Sequence, residues 1–146
     1  RVAAASAVVG ACDRRCLEGL LDQYLAALDA HDASRLPLAR AARYTENTVA
    51  IALGDGFWQT IDRGSQSKTS RLVIADPASA QVAFYGAAKE NGHGVLFSVR
   101  LKHKGRRITE IEQLIARRGP AQIGEFDDPP PFEAAWTEAG ALLDDE

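Results

Sequence analysis

One carboxylate stands within residues 43–53, a run that otherwise has the composition of a β-strand. A buried carboxylate at Glu46 would be costly unless it is paired or has a chemical task. Tyr24 falls within an apolar helical stripe, so its phenol needs a partner or a ligand. A carboxylate and a phenol that face one cavity can act as general base and hydrogen-bond donor. The sequence therefore indicates acid/base chemistry, with Glu46 and Tyr24 as its catalytic residues.

Further substrate-binding residues are expected on the same strand and among the aromatic residues. Tyr44 lies two residues before Glu46 and shares its face of a regular strand, whereas Asn47 points to the opposite face. We therefore rank Asn47 below Tyr44 as a substrate contact. Three aromatic residues could form an apolar wall of the pocket: Trp58, Phe84 and Phe97.

Two arginines, Arg71 and Arg100, could bind an anionic group of a substrate. Surface ion pairs with Glu110 or Glu112 are the favoured alternative for both. These two glutamates flank Ile111 on a predicted strand and so would face away from the core.

The sequence contains no pattern that binds a metal or a nucleotide. It lacks a glycine-rich phosphate loop, the His-Glu-x-x-His and Cys-x-x-Cys motifs, and a nucleophile elbow. Cys12 and Cys16 have no neighbouring histidine that could activate a thiol or complete a metal site. We therefore expect an enzyme without metal or cofactor, although a pocket without catalysis would show the same absences.

The size and charge of the chain favour one small domain that binds a small molecule. Its 146 residues suit one core, and 46% hydrophobic with 25% charged residues is typical of a globular protein. The formal net charge of −3 gives no electrostatic reason to expect nucleic acid or membrane as a partner. No apolar run approaches the ~20 residues that span a bilayer.

Residues 1–12 leave the cellular compartment open. An arginine followed by small and apolar residues resembles either the remnant of an export signal or an alanine-rich packing arm. A cytoplasmic and a periplasmic location are both compatible with this segment. Cys12 and Cys16 are interpreted first as small apolar helix residues, with a disulfide as the alternative if Cys12 precedes the first helical turn.

An amphipathic helix is predicted over residues 14–30, with Asp13 as its N-cap. Apolar side chains at i, i+3, i+4 and i+7 form a stripe that carries Tyr24 into the interior. A second, short helix is expected at residues 36–39, because Pro37 is tolerated in a first turn.

The chain after the helices is rich in predicted strands. Tight turns that contain glycine separate the later strands, which indicates an antiparallel meander. Helices followed by strands are typical of the α+β class rather than of a parallel α/β sheet. The predicted strands are residues 44–53, 71–75, 81–89, 95–102 and 107–117.

Residues 118–146 differ in character from the rest. Prolines surround an acidic stretch, and residues 132–143 then have a helical pattern. Because an isolated helix of this length is marginal in water, Phe132 and Trp136 would have to dock on the body, on a partner subunit or over a pocket mouth. We divide the chain into an arm (1–12), one domain (13–117) and a tail with a short helix (118–146).

The order of helix, short helix, strand and curled meander resembles the nuclear transport factor 2-like superfamily, which includes ketosteroid isomerases and polyketide cyclases. The likeness rests on residues 23–32, 42–47, 99–101 and 105–111. It implies a cone-shaped, curled antiparallel sheet packed on N-terminal helices over residues 13–117, with a C-terminal helical extension.

The same resemblance implies roles for two residues. Set beside a ketosteroid isomerase, Tyr24 falls at the tyrosine that donates to the developing oxyanion, and Glu46 at the proton-shuttling carboxylate. The third group of that site, a protonated acid, has no counterpart, because Phe97 or Ser98 stands there. A steroid isomerase in the strict sense is therefore not expected.

Two hypotheses for function follow. The first is a cofactor-independent lyase, dehydratase or isomerase that acts on a small apolar, aromatic, hydroxylated or carbonyl compound, retro-aldol cleavage included. The second is a ligand-binding or assembly module in which Glu46 is paired with an arginine such as Arg43 or Arg71. In both, an apolar side of the curled sheet needs covering, so a homo-oligomer is expected, a dimer or a trimer.

Overall fold

The computed structural model describes residues 12–117, so the predicted arm before Cys12 and the predicted tail with its helix at 132–143 lie outside the described residues. The described chain begins with a helix and continues mainly as strands. Its elements are α1 (Arg14–Asp29), a 3₁₀ turn (Ala33–Arg35), β1 (Leu38–Glu46), β2 (Val49–Ala50), α2 (Phe57–Thr60), β3 (Arg71–Asp76), β4 (Gln81–Glu90), β5 (His93–Lys104) and β6 (Arg107–Ala116).

Helix α1 begins where its capping residue predicts. The Asp13 side chain accepts a hydrogen bond from the Cys16 backbone N–H at 2.9 Å, which satisfies one of the free donors of the first turn. One face of the helix is buried, and α1 packs against β3 and β4. The buried residues of this face are Leu17, Leu20, Leu21, Tyr24, Leu25, Ala27 and Leu28.

A disulfide joins Cys12 and Cys16, so the first interpretation of the two cysteines is wrong. Cys12 precedes the N-cap Asp13 and therefore lies outside the regular turn, where its Cα can approach that of Cys16 to 5.1 Å. Neither sulfur is then available as a thiol nucleophile or as a metal ligand.

The predicted helix at 36–39 is wrong. Leu36 is extended, with φ −87° and ψ 139°, because the ring of Pro37 disfavours a helical residue before it. A short 3₁₀ turn ends at Arg35 instead, and β1 begins directly after the proline at Leu38.

The predicted strand at 44–53 is instead the hairpin of β1 and β2. Asn47 and Thr48 form its two-residue turn with φ of 47° and 70°, the left-handed geometry that such turns favour. Glu46 is consequently the last residue of β1 rather than a residue inside a longer strand.

The six strands form one curled, open sheet in the order β2-β1-β6-β5-β4-β3. The meander from β3 to β6 is antiparallel, as predicted, and the α+β class is confirmed. The sheet is mixed rather than purely antiparallel, because β1 lies parallel to β6. This parallel pair brings the end of β1 beside the end of β6.

One face of the sheet, here called the inner face, carries the buried side chains and packs on α1 and α2. Across it Glu46, Gln113, Val99 and Phe84 stand in one row of paired strand positions. The opposite, outer face exposes charged residues and some apolar ones. Within residues 12–117 no helix combines the length and apolar character needed to cross a lipid bilayer.

Candidate functional site

The Glu46 side chain lies on the inner face and is only 11% exposed. Its Oε2 accepts hydrogen bonds from the Phe57 backbone N–H at 2.8 Å and from the Tyr44 hydroxyl at 3.1 Å. Its Oε1 accepts one from Arg117 at 3.4 Å. A carboxylate offers about four acceptor positions, so these three donors leave one open as far as residues 12–117 are concerned.

The position of the Glu46 carboxylate depends on Gly56. This residue precedes α2 with φ 61° and ψ −126°, and a Cβ on it would lie 2.5 Å from Glu46 Oε2. Glycine therefore both permits the backbone conformation and leaves space for the carboxylate. The first free N–H of α2 then points at the carboxylate rather than at solvent.

Tyr24 is fully buried on the inner stripe of α1, and its hydroxyl donates to Gln113 Oε1. Its ring also meets Trp58 edge to face, with ring centroids 5.3 Å apart. Burial raises the pKa of Tyr24 far above its ordinary value, and the Glu46 charge adds to the rise. The nearby Trp58 indole N–H opposes it, although it is not aligned well enough with the Tyr24 oxygen to form a hydrogen bond. Tyr24 is thus a neutral phenol that donates its hydroxyl proton in a hydrogen bond to Gln113.

Tyr44 belongs to the same cluster. It is 6% exposed and shares the inner face with Glu46, to which its hydroxyl donates. Burial raises the pKa of Tyr44 above its ordinary value, and the neighbouring Tyr24 and Glu46 raise it further. Tyr24 and the Glu46 carboxylate therefore lie close enough to Tyr44 to disfavour its ionisation.

Two further residues, Gln113 and Trp58, complete the cluster with unpaired donors. Gln113 Nε2 and Trp58 Nε1 are both buried and have no hydrogen-bond partner within the described chain. The sequence prediction missed Gln113, although a signal for it exists. It stands between Ile111 and Ile115 at the inward positions of β6, where an amide interrupts an otherwise apolar alternation.

The predicted aromatic wall is mainly packed core; of its three residues Phe84 also lines two open surface pockets, and Glu46 lines neither of these two. Phe97 contacts Phe57 and Phe84, with ring centroids 5.4 Å and 5.2 Å apart. All three phenylalanines are at most 4% exposed. Of the three predicted wall residues, only Trp58 has a ring contact with Tyr24.

Arg100 lies on the outer face, away from Glu46. It alternates with the buried Val99 and donates to Glu112 at 2.8 Å and to Glu110 at 2.9 Å. The surface ion pairs that were the favoured alternative for this residue are therefore present.

Arg71 and Asn47 also make contacts outside the Glu46 cluster. Arg71 pairs with Asp22 at 3.7 Å, not with the predicted glutamates, and its guanidinium lies 5.7 Å from the centre of the Phe84 ring. Asn47 bonds through its side chain to both the N–H and the C=O of Ile115. Its amide thus ties the β1–β2 turn to β6.

Arg117 links Glu46 to a second carboxylate, Glu90. It donates to Glu90 at 2.8 Å and more distantly to Glu46. The Arg117 hydrogen bond, with help from Thr60, holds the pKa of Glu90 below its ordinary value. For the ion pair of Glu46 the sequence had suggested Arg43 or Arg71. Arg117 takes that place because the parallel pairing of β1 and β6 brings the ends of both strands together.

Solvent reaches this cluster mainly at Glu46 and, to a smaller extent, at Tyr44. Tyr24, Trp58 and Gln113 are at most 1% exposed, whereas a tenth of the Glu46 side chain is accessible. Four open pockets of about 310 to 460 Å³ lie on the described surface, and Tyr24 and Glu46 line none of these four. Among residues 12–117 no group of three or more potential ligands is placed to hold a metal ion.

The chain is similar to known proteins in its structure and not detectably in its sequence. No protein-family model matches the sequence, and no curated protein matches it. AclR of Streptomyces galilaeus, named as a candidate hydroxylase, is similar over 90% of this chain and 96% of its own, with 13% identity and a TM-score of 0.58. At such identity the likeness concerns the fold alone.

Two further solved structures resemble the chain to a similar degree. A nuclear transport factor 2-like protein of unknown function from Cytophaga hutchinsonii matches 68% of this chain and 89% of its own, with 9% identity and a TM-score of 0.54. A candidate ketosteroid isomerase from Kribbella flavida matches 73% of this chain and 82% of its own, with 14% identity and a TM-score of 0.52.

Proposed function

Because the chain has the nuclear transport factor 2-like fold, in which candidate enzymes occur, we propose that it is a cofactor-independent lyase, dehydratase or isomerase. Its substrate in this proposal is a small apolar, aromatic compound that carries hydroxyl or carbonyl groups. One observation supports it most: the largely buried Glu46 carboxylate accepts a hydrogen bond from Tyr44, lies on the strand position beside Gln113, to which Tyr24 donates, and keeps one acceptor position open among the described residues.

In the proposed reaction Glu46 removes a proton from a carbon next to a carbonyl carbon. The electron pair of the broken C–H bond forms a carbon–carbon double bond, and the carbonyl π electrons move to the oxygen, which gives an enolate. Return of the proton from Glu46 to another carbon of the enolate gives an isomer. In an elimination the enolate electrons instead break the bond to a hydroxyl on the next carbon, which leaves as water with the proton that Glu46 holds. A positioned base of this kind contributes roughly 10²–10⁴-fold.

Deuterium wash-in tests the role of Glu46 without knowledge of the natural product. Aryl ketones such as acetophenone are incubated with the protein in D₂O, and loss of the α-proton signal is followed by NMR. Glu46→Gln keeps the shape of the side chain and removes the base, so we expect wash-in to fall by about 10²-fold or more. Glu112→Gln, on the outer face, is the matched control and should exchange like the wild type. Equal rates in Glu46→Gln and the wild type would reject the proposal.

A second candidate function, a non-catalytic module, is favoured by a specific observation. The Glu46 carboxylate holds the start of α2 through the Phe57 N–H and is paired with Arg117, which is how a purely structural residue would be used. In that case Glu46→Gln should lower the free energy of unfolding by about 1–3 kcal/mol. Because these contacts are present in either case, wash-in separates the two functions: a non-catalytic module should show none even in the wild type.

The homo-oligomer expected from the sequence, a dimer or a trimer, stays a prediction. The outer face exposes Ile74, Tyr85 and Leu114. We propose that copies of the chain meet on this face, because large apolar side chains are costly to leave in water.

A further inference from the structure

Two buried donors beside Tyr24 lack acceptors. Trp58 Nε1 and Gln113 Nε2 are each shielded from solvent, and neither finds a partner among the described residues. An indole N–H can only donate, and the free end of the Gln113 side chain is likewise a donor. Native cores rarely leave such groups unsatisfied, so two in one cluster need an explanation.

In the structure the Tyr24 hydroxyl bonds to the oxygen end of the Gln113 amide and leaves the N–H₂ end free. A neutral phenol has one proton to donate, and it is given to Gln113 Oε1. The amide oxygen is therefore occupied and its N–H₂ end is left over. Tyr24 in this arrangement has no proton for a substrate, so the donor role that the sequence suggested for it must belong to another group.

Both unpaired donors lie around the proposed base. Gln113 is the direct neighbour of Glu46 in the parallel pair of β1 and β6. Trp58 follows Phe57, whose backbone N–H binds Glu46, and its ring contacts Tyr24. A substrate oxygen that met the two donors would thus hold the adjoining carbon near the open acceptor position of Glu46.

We propose that Trp58 Nε1 and Gln113 Nε2 bind one carbonyl oxygen of the substrate, and that Tyr24 is a positioning residue that orients the Gln113 amide. The inference rests on the proposed function and narrows its substrate class from hydroxyl or carbonyl compounds to carbonyl compounds. A hydroxyl would bring its own proton, which neither donor could accept and which would occupy the open acceptor position of the proposed base. A carbonyl oxygen has two lone pairs and no proton.

Indole NMR gives a direct readout, because the chain has two tryptophans, Trp58 and Trp136. In a Trp136→Phe background the single indole N–H signal reports Trp58. The probes are acetophenone and ethylbenzene, which have nearly the same shape and differ in the carbonyl oxygen. We expect acetophenone to shift the Trp58 proton downfield and to bind about tenfold more tightly than ethylbenzene, which corresponds to about 1.4 kcal/mol.

The variants separate donor from positioning roles. In Tyr24→Phe the amide is free to rotate, so the preference for acetophenone should fall while the affinity for ethylbenzene stays the same. In Tyr24→Phe/Gln113→Leu both polar partners are removed together, which leaves the fold nearly unaffected and should abolish the preference. Gln59 is an exposed residue of α2, so Gln59→Leu is the control and should keep the preference for acetophenone.

Failure of this inference can be distinguished from failure of the proposed function. Absent binding of acetophenone, equal indole shifts from both probes, or a preference that survives in the double variant would overturn the donor pair. The indole shifts and the affinities for acetophenone and ethylbenzene are also measured in Glu46→Gln. If Glu46→Gln keeps deuterium wash-in, the role of the base fails, whereas the preference for acetophenone still decides the donor pair.

Discussion

Gly56→Ala should displace the Glu46 carboxylate without touching Glu46 itself. The added Cβ would lie 2.5 Å from Glu46 Oε2 and 2.9 Å from its carboxyl carbon, distances that real contacts do not reach. The carboxylate is the flexible end of its side chain and can move away. It then loses the hydrogen bond from the Phe57 N–H, which leaves a buried donor unpaired.

Two costs set the magnitude of the effect. A non-glycine residue at φ 61° and ψ −126° carries about 1–3 kcal/mol of backbone strain. Loss of a hydrogen bond to a charged group costs about 1.5–3 kcal/mol. Because the carboxylate can relax, we expect about 3 kcal/mol in total, or a drop in Tm of roughly 12–20 °C for a domain of this size.

Urea denaturation followed by circular dichroism measures the loss of stability. Deuterium wash-in into acetophenone measures the effect of the displaced Glu46 carboxylate on proton removal. Gly105→Ala is the matched control, because Gly105 has φ 55° and nothing within 4 Å of a Cβ. It should show only backbone strain, about 1–2 kcal/mol, and normal wash-in. If Gly56→Ala costs no more than Gly105→Ala and exchanges like the wild type, the link between Gly56 and the Glu46 carboxylate is refuted.

Three further predictions concern neighbouring features. Asn47→Ala removes two bonds to the β6 backbone from a residue at φ 47°, so we expect a loss of about 1–2 kcal/mol in urea denaturation with the acetophenone preference intact. Reduction of the Cys12–Cys16 disulfide, checked by thiol mass spectrometry, should cost about 2 kcal/mol, because the closed loop is short. Arg117 lowers the pKa of Glu90 below its ordinary 4.5. The pair therefore stabilises the folded state fully above pH 4.5, and this stabilisation is lost as the pH falls through the lowered pKa. In Arg117→Gln the free energy of unfolding should consequently fall less steeply with acidification.

The antiparallel meander could be predicted because its signals are local. Inward residues alternate along β5 and β6, and turns with Asn91-Gly92 and Gly105 separate the strands. The observed strands β4 to β6 therefore lie within a residue or two of the predicted ones. Helix α1 was predictable for the same reason, since the Asp13 cap and the apolar stripe are both properties of neighbouring residues.

The parts that were not predicted depend on distant contacts. The four-residue helix α2 is too short to show a period, and the parallel pairing of β1 with β6 joins segments about 67 residues apart in the chain, as between Arg43 and Glu110. The ion pair of Glu46 with Arg117 follows from that pairing. No local pattern could have selected Arg117 over Arg43 or Arg71.

One site prediction could have been better from the sequence alone. Phe97 and Arg100 are both predicted in the same pocket, although they are three positions apart on one strand. Since side chains on a regular strand alternate between faces, an odd separation places the two on opposite faces. The same rule would have identified Gln113, which shares the inward positions of Ile111 and Ile115.

The polar pair of Tyr24 and Gln113 is hard to explain as a means of stabilising the fold. Phenylalanine and leucine at these positions would fill the same space, and exchange of both hydrogen-bond partners for apolar groups is often neutral or stabilising. The present pair instead leaves the Gln113 N–H₂ unsatisfied, next to a Trp58 N–H that likewise has no partner among the described residues, at about 1–3 kcal/mol for each buried donor. A ligand oxygen would satisfy both at once. If Tyr24→Phe/Gln113→Leu gains stability and loses its preference for a carbonyl, the polar pair serves binding rather than folding.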